Sequence, residues 1–462
     1  FANNTTKGKR LCTTNSLYNK SKMISRLNEY FSIYFQSYSA PTAQTLFLFV
    51  LSMLALEAAH SIRFLYRHFL TGITEKSLNT FYYVCSYAKV DSSSFLTTTA
   101  RIALRLIPSF LDSYPVFFCV DDTMVPKAGK KFEQISILYD HATHNGNSYL
   151  NGHCFVSVML CVPYADNKNS AIRYISIPLG YRMWKKVESK LELAASMIRQ
   201  VMPEFSQKNQ VIVMCDSWYT KKPFTGLVDE YKNLNLIGNA RSDSILYDLS
   251  PASTRKRGRP ATHGKHLSIE KDFTLSDEKL NGYYMGKRQV RTTLFKGRTV
   301  TAYVTCAEKE NGTRRLFLST ISEDAVAIPK KELPETIERH FELLQMFLYQ
   351  LRWNIEIGYY EQKTFWFLCS YMVRSSRGIE LMVNLVNISY SAMKILTYQY
   401  PEFSEYRTQS VQDFRFALGK RIREDVFLWT FEKKLEKAEK SVDVFKVLDS
   451  LLSRQNHQSQ NL

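Results

Sequence analysis

The sequence predicts an α/β protein with a mixed-sheet core, interrupted by a β-rich insertion and flanked by helical N-terminal and C-terminal regions. Short continuous apolar runs, PVFFCV (115–120) and VIVMC (211–215), are typical of buried central strands. Apolar residues at helical spacing occur before the first run and again after Pro334. Between them, residues 241–335 consist largely of strand-like segments separated by Gly- and Pro-containing loops.

Composition limits the classes of function. The chain has 462 residues, 45% of them hydrophobic, enough for two or three domains. Lys and Arg number 61 against 43 Asp and Glu, a formal charge of +18 that favours a polyanionic partner. Nucleic acid is the first candidate and an acidic membrane surface the second. The eight Cys include no CxxC pair, which favours reduced core residues in a cytoplasmic protein over disulfides or zinc ligands.

The N-terminal part divides into two segments. Residues 1–22 are polar and lack periodicity, so we expect a disordered leader, with Met23 as the natural start. Residues 23–112 show apolar side chains at three- and four-residue spacing, which predicts helices. Basic side chains are spread along these helices: Arg63, Arg67, Lys76, Lys89, Arg101 and Arg105. A helical DNA-binding domain is our prediction, and a plain helical cap is the alternative.

Residues 113–240 are predicted to form the first part of the core. Each of the two apolar runs ends at acidic side chains, the first at Asp121 and Asp122 and the second at Asp216. Further strands are predicted at 154–164, 171–183 and 235–240, and helices at 187–202 and about 221–232. The β-rich insertion follows at 241–335, the second part of the core at 336–400, and a helical region at 401–462.

The insertion contains a basic loop, RKRGRPATHGKH (255–266). Arg257 and Arg259 flank a glycine and precede a proline, the pattern of a segment that lies in an A·T minor groove. The alternative is a flexible loop that contacts only backbone phosphate. Both interpretations make the two arginines DNA-binding residues.

The segment YQLRWNIEIGYYEQK (349–363) places four chemically distinct side chains on one predicted helix face. Tyr349, Arg352, Glu356 and Lys363 fall at about 0°, 300°, 340° and 320° around an α-helix, whereas Glu361 falls about 120° away from Tyr349. A carboxylate beside a guanidinium, an ammonium and a phenol could bind a metal ion next to phosphate. A solvated, salt-bridged face is the alternative.

Carboxylates at two strand ends and on a helix suit chemistry with two divalent ions, because each ion needs hard oxygen ligands. The candidate metal ligands are Asp121, Asp122, Asp216 and Glu356. Either Asp121 or Asp122 could be the first ligand.

These residues carry a family resemblance. The spacing Tyr-x2-Arg-x3-Glu-x6-Lys from Tyr349 to Lys363 resembles the YREK signature of DDE-type insertion-sequence transposases. The Asp-x-Thr at Asp121 resembles that family's first acidic motif, and VIVMCDSWY (211–219) resembles its second. IGNARSDSILYDL (237–249), followed by RGRP, resembles the family's insertion. The resemblance covers roughly residues 115–370.

The resemblance implies an RNase H-like core and a DNA transposase. Asp121, Asp216 and Glu356 would be catalytic and hold two Mg²⁺ or Mn²⁺ ions, and Tyr349, Arg352 and Lys363 would hold DNA phosphates. The protein would cut double-stranded DNA at the ends of its element and join the 3′-hydroxyl to target DNA. It would act as a homodimer on the nucleoid. The alternatives are a catalytically silent DNA-binding protein derived from a transposase, and a nuclease that cuts without joining.

Overall fold

The structure, a computed structural model, describes residues 21–58, 61–140, 148–251, 262–310 and 312–437. Nearly all of the predicted leader, the basic residues Arg257 and Arg259, and the end of the predicted C-terminal region lie outside these ranges. The chain divides into two compact units. The first comprises Phe1–Thr98, Val125–Gly152 and Tyr360–Leu462, and the second comprises Thr99–Met124 and His153–Tyr359.

Twelve α-helices occur within the described ranges. They are α1 Lys22–Phe35, α2 Ala40–Ala55, α3 Ile62–His68, α4 Leu78–Ser86, α5 Ser94–Leu104, α6 Lys190–Val201, α7 Leu227–Glu230, α8 Glu335–Arg339, α9 Leu344–Tyr349, α10 Trp353–Thr364, α11 Ser376–Gln399 and α12 Val411–Lys437. The sequence predicted a longer helix at about 221–232. The structure has a 3₁₀ turn at Phe224–Gly226 before the four-residue α7, because Pro223 and Gly226 are poor residues for a helix interior.

The first unit is built around α11, whose side chains are buried along most of its length. It packs against α2, α4 and α12, and α1 packs on α2. Among the described residues, α11 is the single helix long and apolar enough to cross a membrane. Because 89% of its most apolar window is buried inside the protein, it has the character of a core helix.

Eleven strands form one mixed sheet within the described residues. They are β1 Val116–Pro126, β2 Ser136–Tyr139, β3 Tyr149–Tyr164, β4 Arg173–Met183, β5 Val211–Cys215, β6 Leu234–Ala240, β7 Leu246–Tyr247, β8 His266–Leu267, β9 Tyr284–Arg291, β10 Thr299–Cys306 and β11 Arg315–Ser319. The order β4-β3-β1-β5-β6 places the first long strand third in the row, as in an RNase H-like core. The predicted mixed α/β fold is confirmed.

The strands that follow residue 241 continue the same sheet. β11 pairs antiparallel with β6, and β10 and β9 follow outward from it. The composition changes at residue 241, after the parallel strands β1, β5 and β6. The strands that follow extend the sheet with antiparallel pairing. The domain boundaries themselves stay predictions.

Candidate active site

Two aspartates lie side by side at the centre of the sheet. β1 and β5 are parallel, and their register pairs Val120 with Cys215. The next residues, Asp121 and Asp216, are therefore neighbours. The sequence predicted that the first strand ends at Asp121, but β1 continues to Pro126, so Asp121 lies within it.

Backbone groups fix the carboxylate of Asp216. Its Oδ1 accepts hydrogen bonds from the N–H groups of Trp218, at 3.0 Å, and Tyr219, at 3.3 Å. Thr220 Oγ1 donates to the Asp216 carbonyl at 3.0 Å. Gly238 on β6 makes room for this turn, because a Cβ there would lie 2.4 Å from Thr220 Oγ1.

The segment 349–364 is helical but is not one α-helix. A 3₁₀ turn, Gln350–Arg352, separates α9, which ends at Tyr349, from α10. A 3₁₀ turn has three residues per turn, so Tyr349 and Arg352 still lie on the same side. The Tyr349 hydroxyl donates to the Cys215 carbonyl at 2.9 Å, next to Asp216.

Arg352 lies between two carboxylates. Its Nη1 donates to Asp121 Oδ2 at 2.9 Å and lies 3.6 Å from Glu356 Oε1. The side chains of Arg352 and Asp121 are each only 13% exposed, whereas that of Glu356 is 39% exposed. The guanidinium thus connects the strand that carries Asp121 with the helix that carries Glu356.

The electrostatics follow from burial and crowding. Burial raises the pKa of Asp121 well above its usual value; Asp216 and Glu356 raise it further, and Arg352 opposes the shift. Burial also raises the pKa of Asp216, again opposed by Arg352. Burial alone would lower the pKa of Arg352, but its pKa is raised overall because Tyr349, Asp121, Glu356 and Asp216 surround the charge. The causes of these shifts show that the acidic side chains of Asp121, Asp216 and Glu356 are crowded around the Arg352 guanidinium.

Asp122 points to a different set of partners. Its Oδ2 accepts from Lys190 Nζ at 2.6 Å and from Cys154 Sγ at 3.2 Å, and its Oδ1 accepts from the Tyr219 hydroxyl at 3.0 Å. Both carboxylate oxygens therefore have protein partners. Sequence reasoning missed Lys190 and Tyr219; the proximity of Tyr219 to Asp216 in the chain was the one available signal.

The structure thus brings Tyr349, Arg352 and Glu356 together with the strand aspartates in the second unit. Lys363 lies in the last turn of α10 and belongs to the first unit. Arg257 and Arg259 lie outside the described residues.

The chemistry of the donor set suits a divalent metal ion. Carboxylate oxygens are the ligands that Mg²⁺ and Mn²⁺ prefer, and the crowded, buried acids of this cluster would gain from a bound cation. In the described ranges, however, no three His, Cys, Asp or Glu side chains are already arranged to hold one ion. The donor chemistry fits a divalent ion, and the side chains must adjust to complete the coordination.

A mixed sheet in this strand order, with carboxylates on two adjacent parallel strands and a third on a helix, is the framework of an RNase H-like nuclease. Residues 35–301 match a family model described as DDE superfamily endonuclease, and the chain belongs to this family. The matched region includes Asp121 and Asp216 and ends before Glu356. No curated protein matches the chain significantly. Membership indicates a transposase-type nuclease whose substrate is DNA, and DDE-type endonucleases generally use divalent metals.

Proposed function

We propose that this protein is a DNA transposase of the YREK group that cuts the ends of its mobile element and joins the 3′-hydroxyl to target DNA. The observation that carries the proposal is the cluster of Asp121, Asp216, Glu356 and Arg352 on an RNase H-like sheet. Family membership supports the nuclease class. The spacing from Tyr349 to Lys363 supports the YREK group, which lies beyond the matched region.

Asp121, Asp216 and Glu356 are the proposed holders of two Mg²⁺ or Mn²⁺ ions. When bound, the ions would activate the attacking oxygen and stabilise the leaving oxygen of an in-line displacement at phosphorus. The partners of the two side chains favour Asp121 as the first ligand, because Arg352 holds Asp121 beside Glu356. Asp122 instead accepts from Lys190, Cys154 and Tyr219. Asp122 would then support the site without touching the metal.

The phosphate-holding role falls first on Arg352. Its planar guanidinium carries several donors, of which one nitrogen serves the two carboxylates, and an Arg can hold a phosphate through two parallel hydrogen bonds. The Tyr349 hydroxyl is engaged with the Cys215 carbonyl, which favours a supporting role for this side chain. Lys363, in the last turn of α10, is proposed to contact phosphate farther along the DNA.

The N-terminal helices are proposed to bind DNA. Along α4, Leu78–Ser86, the buried side chains Phe81, Val84 and Cys85 form one face. Tyr82 and Tyr83, together with Tyr87 just after the helix, are exposed. Tyrosine hydroxyls are neutral donors to phosphate, and the exposed Arg63, Arg67 and Lys89 lie in the same region of the sequence. We propose that the insertion and the C-terminal helices form the remaining domains of the protein. We also propose that the protein acts as a homodimer on nucleoid DNA.

The test uses the full chain and the DNA that flanks its gene. In Mg²⁺, the protein should cut at short inverted repeats, expose a 3′-hydroxyl and join it to a target plasmid. Asp216→Asn should abolish cutting and leave binding largely intact, because it removes a ligand and not a phosphate contact. Binding without cutting by the unaltered protein would identify a silent DNA-binding derivative. Cutting without joining would identify a nuclease, and full cutting by Asp216→Asn would rule out the acidic cluster.

A further inference from the structure

A chain of hydrogen bonds connects the two strand aspartates through residues that the proposed chemistry does not use. Tyr219 is its centre. The Tyr219 N–H donates to Asp216 Oδ1 at 3.3 Å, and its hydroxyl donates to Asp122 Oδ1 at 3.0 Å. The Asp122 N–H in turn donates to Asp121 Oδ1 at 2.8 Å. A path of three hydrogen bonds therefore joins the carboxylate of Asp216 to that of Asp121.

Lys190 holds the middle of this chain in place. Its Nζ lies 2.6 Å from Asp122 Oδ2, and the two side chains are 13% and 14% exposed. Cys154 Sγ donates to the same oxygen at 3.2 Å. Lys190 is the first residue of α6, which Ser189 caps through a hydrogen bond to the Glu192 N–H. The backbone that carries the ammonium is thus the start of a capped helix, and the contact with Asp122 holds the ammonium itself.

Burial makes this network selective for one geometry. Tyr219 is fully buried, and a largely buried carboxylate such as Asp122, 14% exposed, is costly unless its oxygens are partnered. Tyr219 is the partner of Asp122 Oδ1, whereas Lys190 supplies the cation and Cys154 a second donor to Oδ2. A shift of the Asp216 turn moves Tyr219, and with it a partner of Asp122. The spacing between Asp121 and Asp216 is therefore coupled to the hydrogen bonds that Asp122 accepts from Tyr219 and Lys190.

We propose that Asp122, Lys190 and Tyr219 are positioning residues that set the separation of the Asp121 and Asp216 carboxylates for a divalent ion. This inference rests on the proposed function, because it assumes that the two carboxylates bind metal. Asp121 is fixed on both oxygens: Arg352 holds Oδ2 and the Asp122 N–H holds Oδ1. Asp216 has no side-chain cation at comparable distance among the described ion pairs, and the backbone N–H groups of Trp218 and Tyr219 hold it instead. Of these two residues, Tyr219 also reaches Asp122 through its hydroxyl.

Metal affinity distinguishes a positioning role for Asp122, Lys190 and Tyr219 from a purely structural one. Removing a hydrogen-bond partner that orients a metal ligand typically weakens metal affinity about 10–100-fold. A structural pair would change the unfolding temperature and leave metal affinity in the folded protein unaltered. Metal affinity can be measured without any reaction, by titrating the full chain with Mn²⁺ and following the free ion by electron paramagnetic resonance.

The deciding variant is Tyr219→Phe, which removes one hydroxyl and keeps the ring and the backbone N–H. Tyr303→Phe is the matched control, because Tyr303 is also fully buried and its hydroxyl donates to Gln345 at 2.7 Å. Tyr219→Phe should weaken Mn²⁺ binding at least about 10-fold and raise the Mn²⁺ concentration needed for half-maximal DNA cutting. Tyr303→Phe should change neither, although both variants lose a buried hydrogen bond.

Lys190→Met gives a second, independent measurement in case Tyr219→Phe does not fold. It should weaken Mn²⁺ binding to a similar extent, and Lys190→Arg should restore part of the affinity because it keeps the charge beside Asp122. Unchanged Mn²⁺ affinity in a folded Tyr219→Phe or Lys190→Met variant would overturn the proposal. If Asp216→Asn itself binds Mn²⁺ as tightly as the unaltered protein, the metal site fails and the positioning role fails with it.

Discussion

Arg352 Nη1 lies 2.9 Å from Asp121 Oδ2 and 3.6 Å from Glu356 Oε1, so one nitrogen bridges a strand carboxylate and a helix carboxylate. Burial and the nearby Asp216 and Glu356 raise the pKa of Asp121, and the guanidinium opposes that rise. A guanidinium can also hold a phosphate through two parallel hydrogen bonds. Arg352 therefore joins the proposed metal ligands to the proposed phosphate site.

The first prediction concerns this bridge. Arg352→Lys should lower the single-turnover rate of DNA cutting by about 100-fold, because an ammonium cannot reproduce the planar fork and a misplacement of about 1 Å has that effect. Arg352→Ala should lose both cutting and part of the DNA affinity. Arg339→Lys is the control, since Arg339 is exposed and paired with Glu335 on α8. Cutting at the unaltered rate by Arg352→Lys would contradict a phosphate-holding role.

The second prediction compares two glutamates of α10. Glu356→Gln should lose cutting with little loss of DNA binding, because it removes a proposed negative ligand and keeps the shape of the side chain. Glu361→Gln should be nearly silent in both assays. Glu361 accepts a hydrogen bond from the Tyr390 hydroxyl, and a glutamine oxygen can accept the same bond.

The outcome is decided by the ranking of the two variants in the cutting assay. An inactive Glu361→Gln beside an active Glu356→Gln would show that the register assigned to the helix is wrong. The family spacing from Tyr349 to Lys363 would then lose its chemical support.

The third prediction concerns salt. The formal charge of +18 favours binding through Lys and Arg contacts that release condensed counterions. The logarithm of the DNA association constant should fall linearly with the logarithm of salt concentration, with a slope of about −0.9 per phosphate contact. Fluorescence anisotropy with labelled DNA over roughly 50–200 mM NaCl measures the slope. A slope near zero would argue against DNA as the partner.

The fourth prediction concerns the basic loop. Replacing Arg257 and Arg259 with Ala should weaken DNA binding and leave the unfolding temperature unchanged, because the segment has too few apolar residues to belong to a core. Lys168→Ala combined with Lys208→Ala is the control, because it removes the same charge from two exposed positions elsewhere in the chain. If the loop variant loses no more affinity than this control, the loop contributes only its positive charge and makes no specific contact with DNA. A large fall in the unfolding temperature would show that the loop is structural.

The fifth prediction concerns the core of the first unit. Arg415 is 2% exposed and donates to the carbonyls of Phe365, Met53 and Leu56, the last two at 3.1 Å and 2.6 Å. Burial lowers its pKa to about 10, so it is charged at neutral pH. The cation satisfies carbonyls at the C-terminal end of α2 and lies favourably against its dipole.

Arg415→Met should therefore lower the free energy of unfolding by about 3 kcal/mol, because it leaves buried carbonyls without a donor. Urea denaturation measures the change. Lys420→Met on the same helix is the control, since the Lys420 side chain is 74% exposed and its ion pair with Glu424 is 4.0 Å long. Equal stability of the two variants would show that the buried cation contributes nothing.

The sequence was sufficient for the elements that carry the proposed site. The apolar runs before Asp121 and Asp216 predicted buried strands, and the structure has them as neighbouring parallel strands β1 and β5. The helical spacing in 349–363 predicted that Arg352 and Glu356 share a face, and both lie against one another. These features are local, because continuous apolar runs and helical periodicity are properties of adjacent residues.

Other parts required the tertiary structure. Adjacent residues of a strand point to opposite faces, and the sequence did not decide whether Asp121 or Asp122 faces the site. In the structure, Arg352 contacts Asp121 and Lys190 contacts Asp122. Lys190 and Tyr219 are 68 and 97 positions from Asp122 in the chain. The strands after residue 241 were predicted from local pattern, but β6 as the partner of β11 was not. Strand pairing and contacts over such separations depend on which surfaces meet during folding, and no local pattern of residues encodes that choice.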